Sequence, residues 1–516
     1  MNCNDNIDMN LTQQDCLRGA EEQAFRLPVA GGAGGFLTIG RTRAVDGLPI
    51  WKSAIQQVWK PALRWEWPSR AGLILAGLLL PVCLWAAPGR VVELTGVTAD
   101  GVTVNTITLQ AAIDACSAWG GGVLHFPAGR YVTGTLQLKD NVVLHLDAEA
   151  TILGSTNAAD YRNLDPFIDG VGSKMGYALI VAVGAQSVGL EGPGTIDGRG
   201  KAVKAVQAHY DIRPFLVRWV KCQDVTVKDV HLINSGAWTM NFFQSKHAMV
   251  EGVSIRSLDL VNNDGIDLDS CADIDLKGCV INSGDDAICL KATSPVPCQN
   301  ITAEDCQLQT RCNAIKFGTE SLGDFTHIRV SHCQIHDTRL SGIALNTVDG
   351  SHLTDVVISD ITMNRVTVPI TMRLGARLKV FRTGDQPRPP GVLRDITIKD
   401  VQATGTGPVG MLINGLPGHP VENLTLENIR LEVPGGGPAA DAAVVLAEKP
   451  ATYPEWNMFG KVIPAYGIYL RHAQGVTLKN IHLSTVKPDA RLPYQLIDVA
   501  GVNLKDLARA ITLGTP

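Results

Sequence analysis

Aromatic residues make up only 5% of these 516 residues, and charged residues only 18%. With so few charges, and a formal net charge of −5, there is no broad electrostatic case for a nucleic-acid partner. Any anionic ligand must be met by local basic patches. A clean bilayer span of about 20 apolar residues is also missing; the run that comes nearest, Ala71–Ala87, is interrupted by Pro81. What the chain does have is 45% hydrophobic residues and 52 glycines, a balance that suits short β-branched strands and many turns better than a helical bundle.

From Ser69 the chain reads SRAGLILAGLLLPVCLWAA, with Arg70 before the apolar run and Ala86 and Ala87 after it. That layout predicts a secretory signal peptide over 69–87. Residues 1–68 are then an atypical extension, expected to come from a start codon placed too far upstream, and 88–516 form the mature part. The expectation is a secreted or periplasmic protein with no stable membrane insertion after signal cleavage. N-terminal sequencing of the exported protein tests it. Of twelve cysteines, Cys3, Cys16 and Cys83 fall in the leader. The remaining nine are an odd number and cannot all pair internally.

A block of the form apolar-x-apolar-polar-x-apolar-x-apolar recurs at Val225, Ala248, Ile274, Ile301, Ile328, Val356, Ile396, Leu424 and Val476. The intervals are 23, 26, 27, 27, 28, 40, 28 and 52 residues. Each block alternates as one strand, breaks at its centre and resumes, as a chain turning a corner between two strands does. A repeat this short is no autonomous domain. It fits one coil of a right-handed parallel β-helix, an all-β solenoid in which like positions stack about 4.8 Å apart. The surplus residues in the 40 and 52 intervals must leave the coil as loops. The sixth block position holds Cys279, Cys306 and Cys333 among aliphatics, which predicts buried thiols in an inward ladder. At the front, TLQAAIDACSAWGGG places Leu109, Ala112, Ile113 and Cys116 on one helical face, a short helix suited to capping the first coil. One capped domain from about residue 88 to the C-terminus is expected, and a monomer.

A second ladder runs between the blocks: Ile266/Leu268, Ile288/Leu290, Ile315/Phe317 and Ile343/Leu345. Two residues before each pair stand Asp264, Asp286, Asn313 and Ser341, which should stack on one outer face, with Asp285 beside Asp286. Between each pair, Asp267, Cys289, Lys316 and Ala344 should point outward by strand alternation. Two stacked carboxylates one strand spacing apart repel, so at least one should hold its proton more tightly. Such a pair can hold a water and accept its proton, while Asp285, kept protonated, donates to a leaving group. Asx hydrogen bonding in the turns, or a calcium site, would use the same acids. The shared register of NND and GDD favours catalysis.

NNDGIDLDS and SGDDAICLK resemble the two acidic motifs of the polygalacturonase family, glycoside hydrolase family 28; GGGVLHFPAGRYVTG and GPGTIDGRG resemble its first coils. The resemblance covers most of the chain. It implies hydrolysis of a pectin-type acidic plant cell-wall polysaccharide with inversion, Asp285 acting as acid and Asp286 with Asp264 activating water, and it calls for no cofactor or metal. The family's GHG motif, however, falls on Cys312, Asn313 and Ala314, and its RIK motif on Ala344, Leu345 and Asn346. The carboxylate-binding histidine, arginine and lysine are missing. This predicts a changed sugar next to the cut, as in the rhamnogalacturonan-cleaving branch, with Lys316 partly replacing the lost charge.

Asn263, Asp267, Asn313, Lys316, Glu320 and Asn346 are the candidate substrate-binding residues near the acids. Arg373 and Arg377 join them from a segment, 373–394, that carries six basic residues against the single acid Asp385. That segment could bind a polyuronate or be a solvated face. Tyr453, Trp456, Phe459, Tyr466 and Tyr469, in the 52-residue interval, could stack on sugars or pack over the coil. The competing readings are a β-helix polysaccharide lyase and an inactive carbohydrate-binding solenoid.

Overall fold

The computed structural model describes residues 90–502 and 509–514. The expected extension and signal peptide lie outside the described residues. Among those residues no helix is long and apolar enough to cross a membrane.

Successive coils repeat three strands. Ala272–Lys277, Val280–Ser283 and Ile288–Ala292 make one coil. Cys298–Glu304, Gln307–Thr310 and Ile315–Ser321 make the next and pair with it in parallel, strand for strand. The chain is therefore a right-handed parallel β-helix, as the repeat predicts.

The break at the centre of each block has a physical cause. The fifth block position is Asp229, Gly252, Gly278, Asp305, His332, Asp360, Asp400, Asn428 or Asn480, and all nine have φ between 53° and 64°. This left-handed conformation, tolerated best by Gly, Asn and Asp, turns the strand through the corner. The residue before each block, from Asp224 to Gly475, is left-handed as well, with φ between 50° and 64°. Both positions stay in register from coil to coil, so polar side chains stack there: Asn428 Nδ2 donates to Asp400 Oδ1 at 2.7 Å at the fifth position, and Asn423 Nδ2 to Asp395 Oδ1 at 3.0 Å before the block.

Ile266, Ile288, Ile315, Ile343, Ile370, Met411 and Ile468 form one continuous inward ladder, each fully buried. Each such side chain contributes about 1.5–3 kcal/mol of burial. Cys279, Cys306 and Cys333 stack in the core as free thiols; the six other described cysteines are free as well. The first coil is covered by α1, Thr106–Ala118, through Leu109, Ile113 and Cys116.

Three excursions cross the face that carries the acids. An antiparallel hairpin pairs Arg162–Ile168 with Lys174–Val183. The second excursion, 375–391, fills the 40-residue interval, and the third, 434–464, fills the 52-residue interval with two short 3₁₀ turns. Because of them, residues that point outward from the coil are nonetheless buried: Asp267 is 0% exposed and Lys316 2%.

Candidate active site

The predicted stack is present. Gly265 N donates to Asp286 O at 2.8 Å, Ala287 N to Asn313 O at 2.9 Å, and Ala314 N to Ser341 O at 2.9 Å. These bonds place Asp264, Asp286, Asn313 and Ser341 one above another on successive coils. Asp267, Cys289, Lys316 and Ala344 form the adjoining outward column.

The two neighbouring acids of the GDD motif meet different environments. Asp286 accepts from Asn313 N at 3.1 Å and Asn313 Nδ2 at 2.8 Å, and pairs with Lys316 Nζ at 2.9 Å. Burial alone would raise its proton affinity, but Lys316, Lys291 and Asn313 together hold it below the ordinary carboxylate value. Asp285 is only half-buried; its carboxylate accepts from Asp286 N at 3.0 Å and, at 3.5 Å, from Asn262 Nδ2. Enclosure and the Asp286 charge push its pKa up. The two neighbours are thus pushed in opposite directions, Asp286 toward the ionised form and Asp285 toward the protonated one.

Asp264 is buried beside Lys291, whose Nζ lies 3.5 Å from Asp264 Oδ2, 3.5 Å from Asp267 Oδ1 and 3.5 Å from Glu320 Oε2. The same ammonium sits 4.4 Å from the centroid of the Trp238 ring. Burial, and then the Asp267 charge, raise the Asp264 pKa well above normal against the pull of Lys291. Asp264 Oδ1 and both Asp267 oxygens are buried without a hydrogen-bond partner. Glu320 differs: although burial opposes it, Lys291, Arg377 and Gly170 N hold it down to about 2. Its Oε1 accepts from Gly170 N at 2.6 Å, which ties the hairpin to the site.

The other candidates separate in space. Asn263 faces its own chain, donating to Ser235 O and Ala237 O at 2.9 and 3.0 Å and accepting from Leu260 N at 2.8 Å. Asn346 is buried beside the site with neither amide atom partnered. Arg373 donates to the carbonyls of Gly415, Glu448 and Lys449, and Arg377 to Asp349 and Thr319 O. Lys379 meets Gly170 O, Arg382 Asp165 and Arg388 Asp324, whereas Arg394 is exposed and pairs with its neighbour Asp395. The charge of the segment fastens the excursion to the coil and the hairpin. Of the aromatic residues, Tyr466 and Tyr469 are buried, and Trp456 and Phe459 pack on the cluster that includes Val368, Leu412 and Tyr469. They pack over the coil.

Two groups bear on the chemistry without having been singled out from sequence. Lys291 was within reach, being the next outward residue after Cys289 by simple alternation. Glu455 was not, because it lies in an excursion with no register. Its Oε1 pairs with Lys316 Nζ at 3.1 Å, and its carboxylate accepts from Asn313 Nδ2 at 3.3 Å. Asp264, Asp267 and Cys289 could in principle gather round a cation, as could Asp285, Asp286 and Cys312. Burial pushes both thiols well up, so they stay protonated, and an ammonium already meets the first group; neither donor set suits a hard cation.

Stacked carboxylates under three excursions on a parallel β-helix define a class of polysaccharide-cleaving enzyme. The family model described as Glycosyl hydrolases family 28 matches residues 116–448, more than half of the chain, and the chain belongs to that family. It is an O-glycosyl hydrolase. Similar curated proteins include a probable polygalacturonase of Vitis vinifera, 25% identical over 70% of this chain and 78% of that protein. An endo-polygalacturonase of Pectobacterium parmentieri is 27% identical over 68% of this chain and 92% of that protein. Among solved structures, the family 28 exopolygalacturonase of Yersinia enterocolitica shares the fold, with a TM-score of 0.62 at 18% identity over 81% of this chain and 78% of that one.

Proposed function

We propose that this hydrolase cleaves a glycosidic bond of a pectic polysaccharide outside the cytoplasm, with Asp285 protonating the leaving oxygen. Asp286, aided by Asp264, orients a water and takes its proton. The observation that carries this reading is the opposite treatment of two adjacent carboxylates. Asp286 is clamped by Lys316 and two donors of Asn313, whereas among the described residues no lysine or arginine lies within salt-bridge distance of Asp285. General acid catalysis needs the second state and general base catalysis the first. Attack by water from the face opposite the leaving group inverts the anomeric carbon.

Asn313, Lys316 and Glu320 act through the acids: Asn313 and Lys316 keep Asp286 ionised, and Glu320 holds Lys291 in place. Asp267 and Asn346 line the space next to them. The test is reducing-end release from pectic polysaccharides by Asp285→Asn and Asp286→Asn, each expected to lose about 10²–10⁴-fold. Unchanged turnover in Asp285→Asn would sink the assignment. A product absorbing in the ultraviolet would instead reveal β-elimination by a lyase.

A further inference from the structure

One column of outward side chains on the first coils takes no part in the chemistry above. The parallel register stacks Glu93, His125, His145 and Glu191 one above another on successive coils. The same column runs on through Lys228, Glu251, Lys277 and Glu304, so from Glu191 onward each side chain has the opposite charge beside it. Lys228 pairs with Glu251 at 3.1 Å and Lys277 with Glu304 at 2.8 Å. Cross-strand neighbours favour such alternation, and like charges directly opposite one another destabilise a sheet. The two histidines break it: with both rings doubly protonated, two cations would face each other across one strand spacing.

The rings divide their nitrogens between inner and outer partners. At the outer ends, His125 Nδ1 lies 2.9 Å from Glu93 Oε2, and His145 Nδ1 lies 3.0 Å from Glu191 Oε1. The two Nε2 atoms turn to one and the same oxygen, Asp147 Oδ1, at 3.1 and 3.7 Å. Asp147 follows His145 by two residues, so strand alternation sends both to the same face. A neutral imidazole that donates from Nδ1 keeps a lone pair on Nε2. A lone pair aimed at a carboxylate oxygen needs a positive centre between them, and one divalent cation supplies it for both rings at once.

The surroundings are those of a metal site. A ligating histidine passes its other N–H to a carboxylate, which fixes the tautomer and the ring orientation, and each ring here has its own glutamate. Two imidazole nitrogens and one carboxylate oxygen suit Zn²⁺, with water as the fourth ligand, whereas Ca²⁺ takes oxygen ligands. Two ligand atoms about 2.0 Å from a shared tetrahedral ion lie roughly 3.3 Å apart, between the two separations found here. The histidine side chains are 25% and 35% exposed and Asp147 43%, which leaves an ion a path from solvent and the side chains room to close on it.

We propose that His125, His145 and Asp147 form a zinc-type metal site whose rings are fixed by Glu93 and Glu191. It lies three coils before the coil that carries Asp264 and on a different strand of the coil. Its ion ties Gly122–Phe126 to Val142–Leu146 in the first coils and takes no part in cleavage.

The experiment strips the full chain with a chelator and titrates it with Zn²⁺ by calorimetry near neutral pH. One ion per chain is expected, with a Kd in the micromolar range or below, and Co²⁺ in its place should give the intense visible absorption of a four-coordinate site. Glu93→Gln, which removes only an outer carboxylate, should weaken binding about tenfold, and His125→Gln and Asp147→Asn should weaken it more. All three side chains are at least a quarter exposed, so the variants keep the core, and their rates of polysaccharide hydrolysis should match wild type. Zn²⁺ should raise the thermal midpoint of wild type and not that of His125→Gln or Asp147→Asn. Binding of undiminished affinity in both of these variants would place the ion elsewhere, on a thiol for example, and overturns the proposal. Absence of saturable Zn²⁺ binding by wild type overturns it as well, and leaves the column as a proton-bridged ladder.

Discussion

Replacing Lys291 by methionine removes the ammonium and leaves a side chain of similar length in the same slot. Three carboxylate oxygens, on Asp264, Asp267 and Glu320, each lose a partner at 3.5 Å. At an effective dielectric of about 20, each contact is worth roughly 5 kcal/mol before the cost of desolvating the ions is subtracted. The net penalty for orphaning buried charge is about 3–5 kcal/mol, because the carboxylates respond partly by taking up protons. Glu320 gives the pH dependence. Its folded pKa of about 2 lies below its ordinary value of 4.5, so it contributes stability above about pH 4.5 that is lost as pH falls toward 2. Without Lys291, the largest of its stabilising charges, that loss moves to higher pH. Asp286, which Lys291 also helps hold below the ordinary carboxylate value, is pushed up, and the acidic limb of kcat/KM should move up with it. Urea unfolding at pH 7 and at pH 4, together with a pH–rate profile, measures both effects. A variant within about 1 kcal/mol of wild type at pH 7, with an unmoved acidic limb, would show that the lysine and its three acids do not act as a unit.

Further outcomes follow from the same geometry. Because burial and Asp286 raise the Asp285 pKa while Lys316 helps hold Asp286 down, kcat/KM should be bell-shaped, with its alkaline limb above the ordinary carboxylate range; a rate still flat at pH 9 would contradict Asp285 as acid. Asp360→Val, at a corner with φ 57°, should cost about 1–2 kcal/mol in chemical denaturation, and Asp360→Gly much less. Arg382→Met, which loses the contact with Asp165 at 3.3 Å and the Phe243 ring, should make the 375–391 excursion more susceptible to limited proteolysis while the urea midpoint moves little.

The solenoid, its coil spacing and the stacking of Asp264, Asp286, Asn313 and Ser341 were legible in the sequence because each follows from a short local period. Alternation decides which side chain points inward, and the repeat decides which residue stands above it. The left-handed corners are equally local: Gly, Asn or Asp at the fifth block position marks most of them. The same rule extended by one residue would have exposed Lys291. Alternation says which side chains point outward but not which of those are covered. Asp267 and Lys316 point away from the coil axis but are covered, since residues 162–183, 375–391 and 434–464 fold back across them.

Sequence by itself therefore determined a parallel β-helix, the family, and the three aspartates with their order on neighbouring coils. The tertiary structure decided what covers the site. The pairs that tie the excursions to it depend on distances between segments 100 or more residues apart, and no period in the chain encodes those. Only folding brings Glu455 to Lys316, Gly170 to Glu320 and Arg382 to Asp165. Those contacts turn a basic loop into a clasp, cover the acids and bring a further carboxylate against Lys316.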